Sequence, residues 1–338
     1  MDPVPGVVVA TLRAIDLAAG AEARYVDQLP QLVGGLREQA RVESITASSA
    51  IEGVVVEEVR VRALVSANPP RFRNRSEKEF AGYRAALDYL HQQDAGTPSI
   101  GLILHLHRLL FSFVDGGGGR LKLDDNLVIN RHEDGTTTTR FEPVPAAETE
   151  HYVSELVDRT NEALAAGVVH PMLITAAFAL DLLCIHPFAD GNGRVARLMT
   201  TYLMNRSGYG VGRYVSLEQL IYETKDDYYT ALSASTTGWV DDGAHDVWPW
   251  ASYFLDCVAD AYERFADRIS TGTNGGTKQD RIRDFVLLHA PVAFSISDIR
   301  RAVPGVSDQT IRLVLTELKA AGRVTVDGSG RGATWQRR

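Results

Sequence analysis

The chain has 338 residues, 45% of them hydrophobic and 23% charged, the balance of a globular protein with two or three domains. Its 43 acidic and 35 basic side chains leave a formal net charge of −8, which argues against nonspecific nucleic-acid binding by the molecule as a whole. No apolar run reaches a membrane span, and the opening Met1-Asp2-Pro3-Val4-Pro5 lacks a basic n-region. The expectation is a cytoplasmic protein whose two cysteines, Cys184 and Cys257, are reduced core thiols.

Residues 1 to about 40 read as helical, punctuated by Pro30 and Gly34-Gly35, with no evident chemistry. Over residues 41–53, Val42 and Ile45 mark the buried stripe of a helix that ends in Ser48-Ser49-Ala50-Ile51-Glu52-Gly53. Ser48 and Glu52, four apart, share a side, and Gly53 fits a left-handed C-terminal cap. A glutamate in the last helical turn is opposed by the helix dipole, and a residue that breaks a local rule calls for a tertiary reason. Pro69-Pro70 marks a break, and Arg71, Arg73 and Arg75 form a solvated basic face. Ser76-x-x-Glu79 predicts a capping box that opens a helix through about Gln92. Ser99 begins an apolar helix over residues 100–113. Its His105 and His107 are two apart and do not face each other, so at least one is read as a core or surface histidine and the two not as a metal pair. After the glycine loop of residues 115–119, residues 126–130 and 136–144 predict a hairpin turning at Asp134-Gly135. Pro143 and Pro145 end it before a helix over residues 148–166.

The densest chemistry follows. An apolar helix over residues 172–185 is stopped by Pro187, and a second helix over residues 195–206 begins just after Gly191-Asn192-Gly193. On the second helix Val195, Leu198, Met199 and Tyr202 share one face, with Arg194, Arg197 and Thr201 on the opposite flank. A helix N-terminus leaves about four N–H groups unpaired and carries roughly half a positive charge. Glycines let a phosphate approach that backbone, and the arginines add charge-assisted donors. Asp190 offers the hard oxygen that Mg²⁺ takes when shared with phosphates. His186, at the lip, can accept a proton near neutral pH.

Beyond it, residues 217–233 predict a helix holding Tyr222, Tyr228 and Tyr229, and residues 248–269 a last helix opened by Trp248-Pro249-Trp250. Residues 271–277 have the composition of a flexible linker. Three short helices are then expected at 279–289, 297–303 and 307–320, with strands at 323–326 and 333–336 around Asp327-Gly328-Ser329-Gly330. This order resembles a winged helix-turn-helix. From Lys278 onward two lysines and nine arginines oppose five aspartates and one glutamate, a balance of +5 in an acidic chain. Gln309, Thr310 and Arg312 would face outward on the third helix, whereas Asp308 and Glu317 flank that surface. DNA contact and protein docking both stay open.

The stretch His186-Pro187-Phe188-Ala189-Asp190-Gly191-Asn192-Gly193-Arg194-Val195-Ala196-Arg197 resembles the signature of the Fic family, with every specified position filled. Ser48-x-x-x-Glu52-Gly53 is similar to that family's inhibitory helix. The resemblance implies a mainly α protein: an N-terminal helical region (1–94), a Fic domain with a small β-hairpin flap (95–270), a linker (271–277) and a winged helix-turn-helix (278–338). It implies adenylyl transfer from ATP to a Ser, Thr or Tyr hydroxyl of an unidentified target protein, or of the chain itself. His186 would be the base and Asp190 the Mg²⁺ ligand. Gly191, Asn192, Gly193 and Arg194 would hold the phosphates, Arg197 the γ-phosphate, and Tyr229 would stack on the adenine. Glu52, oriented by Ser48, would pair with Arg197 and inhibit, and the hairpin would hold the target by strand addition. A homodimer stays open. The alternative is a DNA-binding transcription regulator whose Fic core senses ATP or removes AMP.

Overall fold

Pro30, whose fixed φ suits the first turn of a helix, separates the two opening helices, α1 (Gly6–Gln28) and α2 (Pro30–Ile51). The fold is that of a computed structural model, which describes residues 4–66, 70–92, 96–131, 136–240, 244–273, 277–303, 305–328 and 333–337. Among these residues the fold is mainly helical, with five short strands. The described residues form two compact units, one of Met1–Ala14, Val42–Gly210 and Leu217–Val258, the other of Ile15–Arg41, Val211–Ser216 and Ala259–Arg338. No described helix is long and apolar enough to cross a membrane.

In the first unit the end of α2 is followed by α3 (Glu58–Leu64), α4 (Arg75–Gln92) and α5 (Ile100–Leu110). Ile45 is fully buried, as the stripe on α2 requires, and Gly53 takes the expected left-handed turn at φ 75°. The cap of α4 differs from the expected one. Asn74 Oδ1, not Ser76, accepts the Glu77 N–H at 2.9 Å, so the helix starts at Arg75 and frees Glu79 for other work. Ser99 caps α5 as expected, accepting from Leu102 N–H at 3.1 Å. That helix stops at Leu110, three residues early. Gly82 of α4 lies against the Leu110 carbonyl with no room for a Cβ.

Strands β1 (Val128–Arg131) and β2 (Thr137–Phe141) pair antiparallel, Ile129 opposite Thr139, with an irregularity between Val128 and Ile129. The hairpin is therefore as expected, while its turn at Asp134-Gly135 lies outside the described residues. After α6 (Thr149–Ala166), helices α7 (Pro171–Ile185) and α8 (Asn192–Arg206) pack against each other. α7 is apolar on every side, so it belongs inside. Phe80, Leu87, Ile103, Leu106, Phe178, Leu182 and Leu198 join α4, α5, α7 and α8 in one core. The helix expected over 217–233 is two, α9 (Leu217–Glu223) and α10 (Lys225–Thr236), parted at Thr224. α11 runs Trp248–Thr273, past its expected end.

In the second unit α12 (Lys278–Asp284) continues into one π turn, Phe285–His289, ahead of α13 (Ile296–Ala302) and α14 (Asp308–Ala320). Strands β3 (Ala293–Phe294), β4 (Val324–Asp327) and β5 (Thr334–Arg337) form an antiparallel sheet in the order β3-β5-β4. Ile311, Val314, Leu315 and Leu318 of α14 are buried, as its periodicity demands. Ser329 and Gly330, at the expected hairpin tip, lie outside the described residues. Within this unit Gln39 Nε2 donates to the His289 carbonyl at 2.8 Å, and a Cβ on Gly35 would stand 2.8 Å from the Arg301 carbonyl oxygen.

Candidate active site

His186 closes α7 in a left-handed conformation (φ 51°, ψ 59°), where its N–H donates to the Leu182 carbonyl at 3.0 Å. Among the described residues it is the one non-glycine with positive φ. Its Nδ1 lies 3.2 Å from the Leu183 carbonyl, an acceptor, so Nδ1 carries the proton and Nε2 the lone pair. Burial holds the His186 pKa below its ordinary value; the Leu183 bond opposes this, and the Lys122 charge adds to it.

The loop after His186 is closed by Asn192, whose side chain accepts from Phe188 N–H at 2.8 Å and donates to Phe188 O at 2.7 Å. Gly191 sits at φ 83° against Phe111, where a Cβ would be 2.8 Å from the ring. Only glycine meets both conditions. The His107 ring stacks on Phe188 at 3.8 Å between centroids. Its Nδ1 accepts from Gly119 N–H at 2.7 Å, so Nε2–H donates to the Asp190 carbonyl at 3.1 Å. Burial lowers the His107 pKa to about 4, leaving a neutral ring that fixes the loop. His105 instead packs against Tyr89.

α8 begins at Asn192, three residues before the expected Val195. The N–H groups of Asn192, Gly193 and Arg194 thus precede the first intrahelical bond, Val195 N–H to Gly191 O at 3.0 Å. Both signature arginines, on the flank opposite Val195 and Leu198, are buried. Arg194 donates through Nη1 to Glu79 Oε2 at 2.6 Å and reaches Asp190 Oδ1 through Nη2 at 3.4 Å. Its guanidinium also lies over the Phe111 ring, 5.3 Å from the centroid. Arg75 Nε donates to Glu79 Oε1 at 2.5 Å, and its Nη2 meets Asp190 Oδ2 at 3.3 Å. Burial would raise the Glu79 pKa, but the bonds from Arg75 and Arg194 bring it below the ordinary value.

Arg197 is held from three directions. Its Nε donates to Ser48 Oγ at 2.9 Å, its Nη2 to Ser48 O at 3.0 Å and to Glu52 Oε1 at 2.9 Å. Glu52 follows the last residue of α2, in the turn that Gly53 N–H closes on Ala50 O at 3.0 Å. Its carboxylate lies against Gly193, so close that a Cβ there would collide with Oε1. An acidic group thus already sits at the N-terminus of α8, where the dipole and the early N–H groups favour an anion. Burial alone would lower the Arg197 pKa, yet Glu52 and the neighbouring tyrosines raise it, so the guanidinium stays charged.

Tyr229 is half-buried, edge-on to Tyr228 with centroids 5.1 Å apart. The Arg140 guanidinium of β2 lies over its ring at 4.6 Å and donates to its carbonyl at 2.8 Å. The Asp190 side chain is 56% exposed, so its carboxylate faces solvent beside the loop. No group of three or more His, Cys, Asp or Glu that could hold a metal occurs among the described residues. A single outward carboxylate fits Mg²⁺ when phosphates supply other oxygens, and Asp190 has that form.

The structure therefore gathers Ser48, Glu52, His186, Asp190, Gly191, Asn192, Gly193, Arg194 and Arg197 around one loop. Four contributors were missed in the sequence. Glu79 was hidden in an apparent capping box, and Arg75 in a basic run. Lys122, with Asn126, grips the far side of the loop: Lys122 N–H donates to Pro187 O at 2.9 Å and Asn126 Nδ2 to Phe188 O at 3.0 Å.

Comparison with known proteins gives this geometry a context. Residues 98–204 match the model of the Fic/DOC family. Protein adenylyltransferase fic-1 of Caenorhabditis elegans is 26% identical over 232 residues, covering 67% of this chain and 41% of the relative. The chain thus spans less than half of that relative's length. A Fic family protein from Desulfovibrio desulfuricans G20 superposes with a TM-score of 0.65 at 21% identity, covering 100% of this chain and 97% of its own. Residues 134–508 of Fic-1 from C. elegans superpose with a TM-score of 0.61 at 23% identity, covering 79% of this chain and 74% of that one. At these identities the structural likeness is one of fold.

Proposed function

We propose that this chain, which carries a Fic domain over residues 98–204, transfers AMP from ATP to a hydroxyl of a protein and is restrained by Glu52. The observation that carries this reading is the meeting of His186, Asp190 and the Glu52–Arg197 pair at the N-terminus of α8. The activity in the name of the C. elegans relative points the same way. The oxygen of a target Ser, Thr or Tyr attacks the α-phosphorus. Its proton passes to His186 Nε2, and the bond to the bridging oxygen breaks to release pyrophosphate. The N–H groups of Asn192, Gly193 and Arg194 receive phosphate oxygens, where charge develops in transfer. Mg²⁺ held by Asp190 and shared with the phosphates would neutralise part of their charge.

Arg194 serves this site from behind, through Asp190 and Glu79, whereas Arg197 receives the γ-phosphate once Glu52 has left it. Tyr229 offers a ring for the adenine, and the β1–β2 hairpin an edge for the target. The test is incubation of the protein and of His186→Ala with labelled ATP and Mg²⁺ in a lysate. Covalent label on protein that vanishes in the variant, with ATP affinity nearly unchanged, is the expected result. Equal labelling by both would remove His186 from the chemistry.

The second unit favours an additional reading, a DNA-binding regulator. From Lys278 the chain is basic, and Gln309 and Arg312 of α14 are exposed. The acidic residues that flank this surface are tied to arginines, Asp308 to Arg300 at 2.5 Å and Glu317 to Arg283 at 3.0 Å. DNA affinity that falls steeply with salt would support it; no shift with genomic DNA at low salt would favour protein docking.

A further inference from the structure

The left-handed region crowds the Cβ of a histidine against its own backbone, so surrounding bonds must hold His186 there. At His186 the Leu182 and Leu183 carbonyls hold one side and Asn192 closes the loop beyond, and a further set of bonds comes from one short segment. Lys122 N–H donates to Pro187 O at 2.9 Å, and Lys122 Nζ donates to Ile185 O at 3.3 Å. The same ammonium donates to Asn126 Oδ1 at 2.9 Å, and Asn126 Nδ2 donates to Phe188 O at 3.0 Å. The carbonyls of Ile185, Pro187 and Phe188, which flank the histidine on both sides, are thus all gripped by Lys122 and Asn126.

Lys122 is 5% exposed. A buried ammonium is costly, and desolvation lowers the Lys122 pKa; a surface-seeking side chain placed inside needs a reason. Its neighbour Leu123 is 91% exposed, the reverse of what their polarities favour. Packing alone would exchange the two.

We propose that Lys122 is a positioning residue for His186, fixing the left-handed turn that aims the imidazole by holding the carbonyls on either side of it. The inference rests on the reading of His186 as the base. Without the ammonium the Ile185 carbonyl loses its donor and Asn126 its anchor, while the Lys122 N–H still holds Pro187 O. The turn loosens on its helix side, Nδ1 loses its alignment with Leu183 O, and Nε2 no longer points at one place. The cradle on α8 is built from Asn192, Gly193 and the arginines, so nucleotide binding survives. The charge has a second effect. Lys122, together with burial, disfavours the imidazolium, against the Leu183 bond and the charges of Glu52 and Asp190.

The test uses the full chain carrying Glu52→Gly, with Lys122→Met, Lys122→Arg or Asn126→Ala added. Two readouts are taken: steady-state transfer, and the ring-nitrogen NMR signals of His186, assigned by their loss in His186→Gln. Lys122→Met is expected to lower kcat on the order of a hundredfold, the scale of an ångström of misplacement. The KM for ATP should stay within about twofold, and the His186 signals should move toward a tautomer mixture. Lys122→Arg, which keeps charge and donors, should recover part of kcat. Should Lys122→Met fail to fold, the milder Asn126→Ala, expected to shift the same signals less, decides the matter. Unchanged His186 signals and kcat in a folded variant overturn the proposal. If no chain transfers AMP, the proposed activity fails, while the His186 tautomer still reports whether Lys122 holds the ring.

Discussion

Arg194 and Arg197 stand one turn apart on α8, both buried and both tied to a glutamate from an earlier part of the chain. The partner of Arg194, Glu79, is 6% exposed and comes from the interior of α4. The partner of Arg197, Glu52, is 31% exposed and comes from the turn after α2. A buried pair cannot be opened without stranding a charge, whereas a half-exposed carboxylate can exchange its arginine for water. The same chemistry therefore makes a fixed strut in one place and, on the proposed reading of Glu52, a releasable latch in the other.

The largest effect should come from the strut. Glu79→Ala leaves the Arg194 guanidinium inside with the Phe111 ring and, as ionic partner, the long contact to Asp190, a change that typically costs about 3–5 kcal/mol. In a unit of this size that is a fall in Tm of about 10 °C, read by calorimetry. The pH dependence has a definite sign. Because the folded Glu79 pKa lies below its ordinary value, its stabilisation is complete above the usual carboxylate range and is lost as pH falls through the folded value. The gap between wild type and Glu79→Ala should accordingly narrow below about pH 4. A gap that stays constant down to pH 2 would mean that the pair does not act through its charge.

The latch should behave in the opposite way. Glu52→Gly removes a half-exposed partner while Ser48 keeps two bonds to Arg197, so stability should change by about 1 kcal/mol or less. Transfer should rise on the order of a hundredfold, because the carboxylate no longer occupies the N-terminus of α8 or diverts Arg197 from the nucleotide. Labelled-AMP incorporation at saturating ATP checks this, with Glu52→Gly, His186→Ala as the blank. Equal incorporation by wild type and Glu52→Gly would leave Glu52 a structural residue.

The latch was legible in the sequence and the strut was not, for a physical reason. Glu52 breaks a local rule by sitting at the negative end of a helix beside a glycine cap, and that conflict shows in a single chain. Glu79 breaks none. Ser76-x-x-Glu79 satisfies a capping box, so the carboxylate looks employed, while its true partner lies 115 residues downstream. Asn74, a cap as good as Ser76, moves the helix start and turns Glu79 inward. The signature loop could be read because its donors, carboxylate and base are contiguous. Lys122 could not, since alternation in Leu121-Lys122-Leu123 sends lysine outward. The hairpin followed from its two β-prone runs, and the helices of the core from periodicity. The break at Thr224 did not, as no proline or glycine marks it.

The smallest effect on transfer is the one that separates the carboxylate from its support. Ser48 is fully buried, accepts Arg197 Nε through Oγ at 2.9 Å, and accepts Nη2 through its carbonyl at 3.0 Å. Ser48→Ala removes only the first of these bonds. A hydrogen bond to a charged group contributes about 1.5–3 kcal/mol, so Tm should drop measurably. Glu52 and the Ser48 carbonyl still hold the other side of the guanidinium, which can pivot but cannot leave. Transfer should therefore rise only a few-fold, far below the gain in Glu52→Gly. In the double variant Ser48→Ala, Glu52→Gly the arginine keeps one backbone acceptor and loses its aim, so activity should fall below that of Glu52→Gly alone. That non-additivity is the measurement of interest. If Ser48→Ala by itself matched Glu52→Gly, the restraint would lie in the serine that holds Arg197, and the carboxylate would be its bystander.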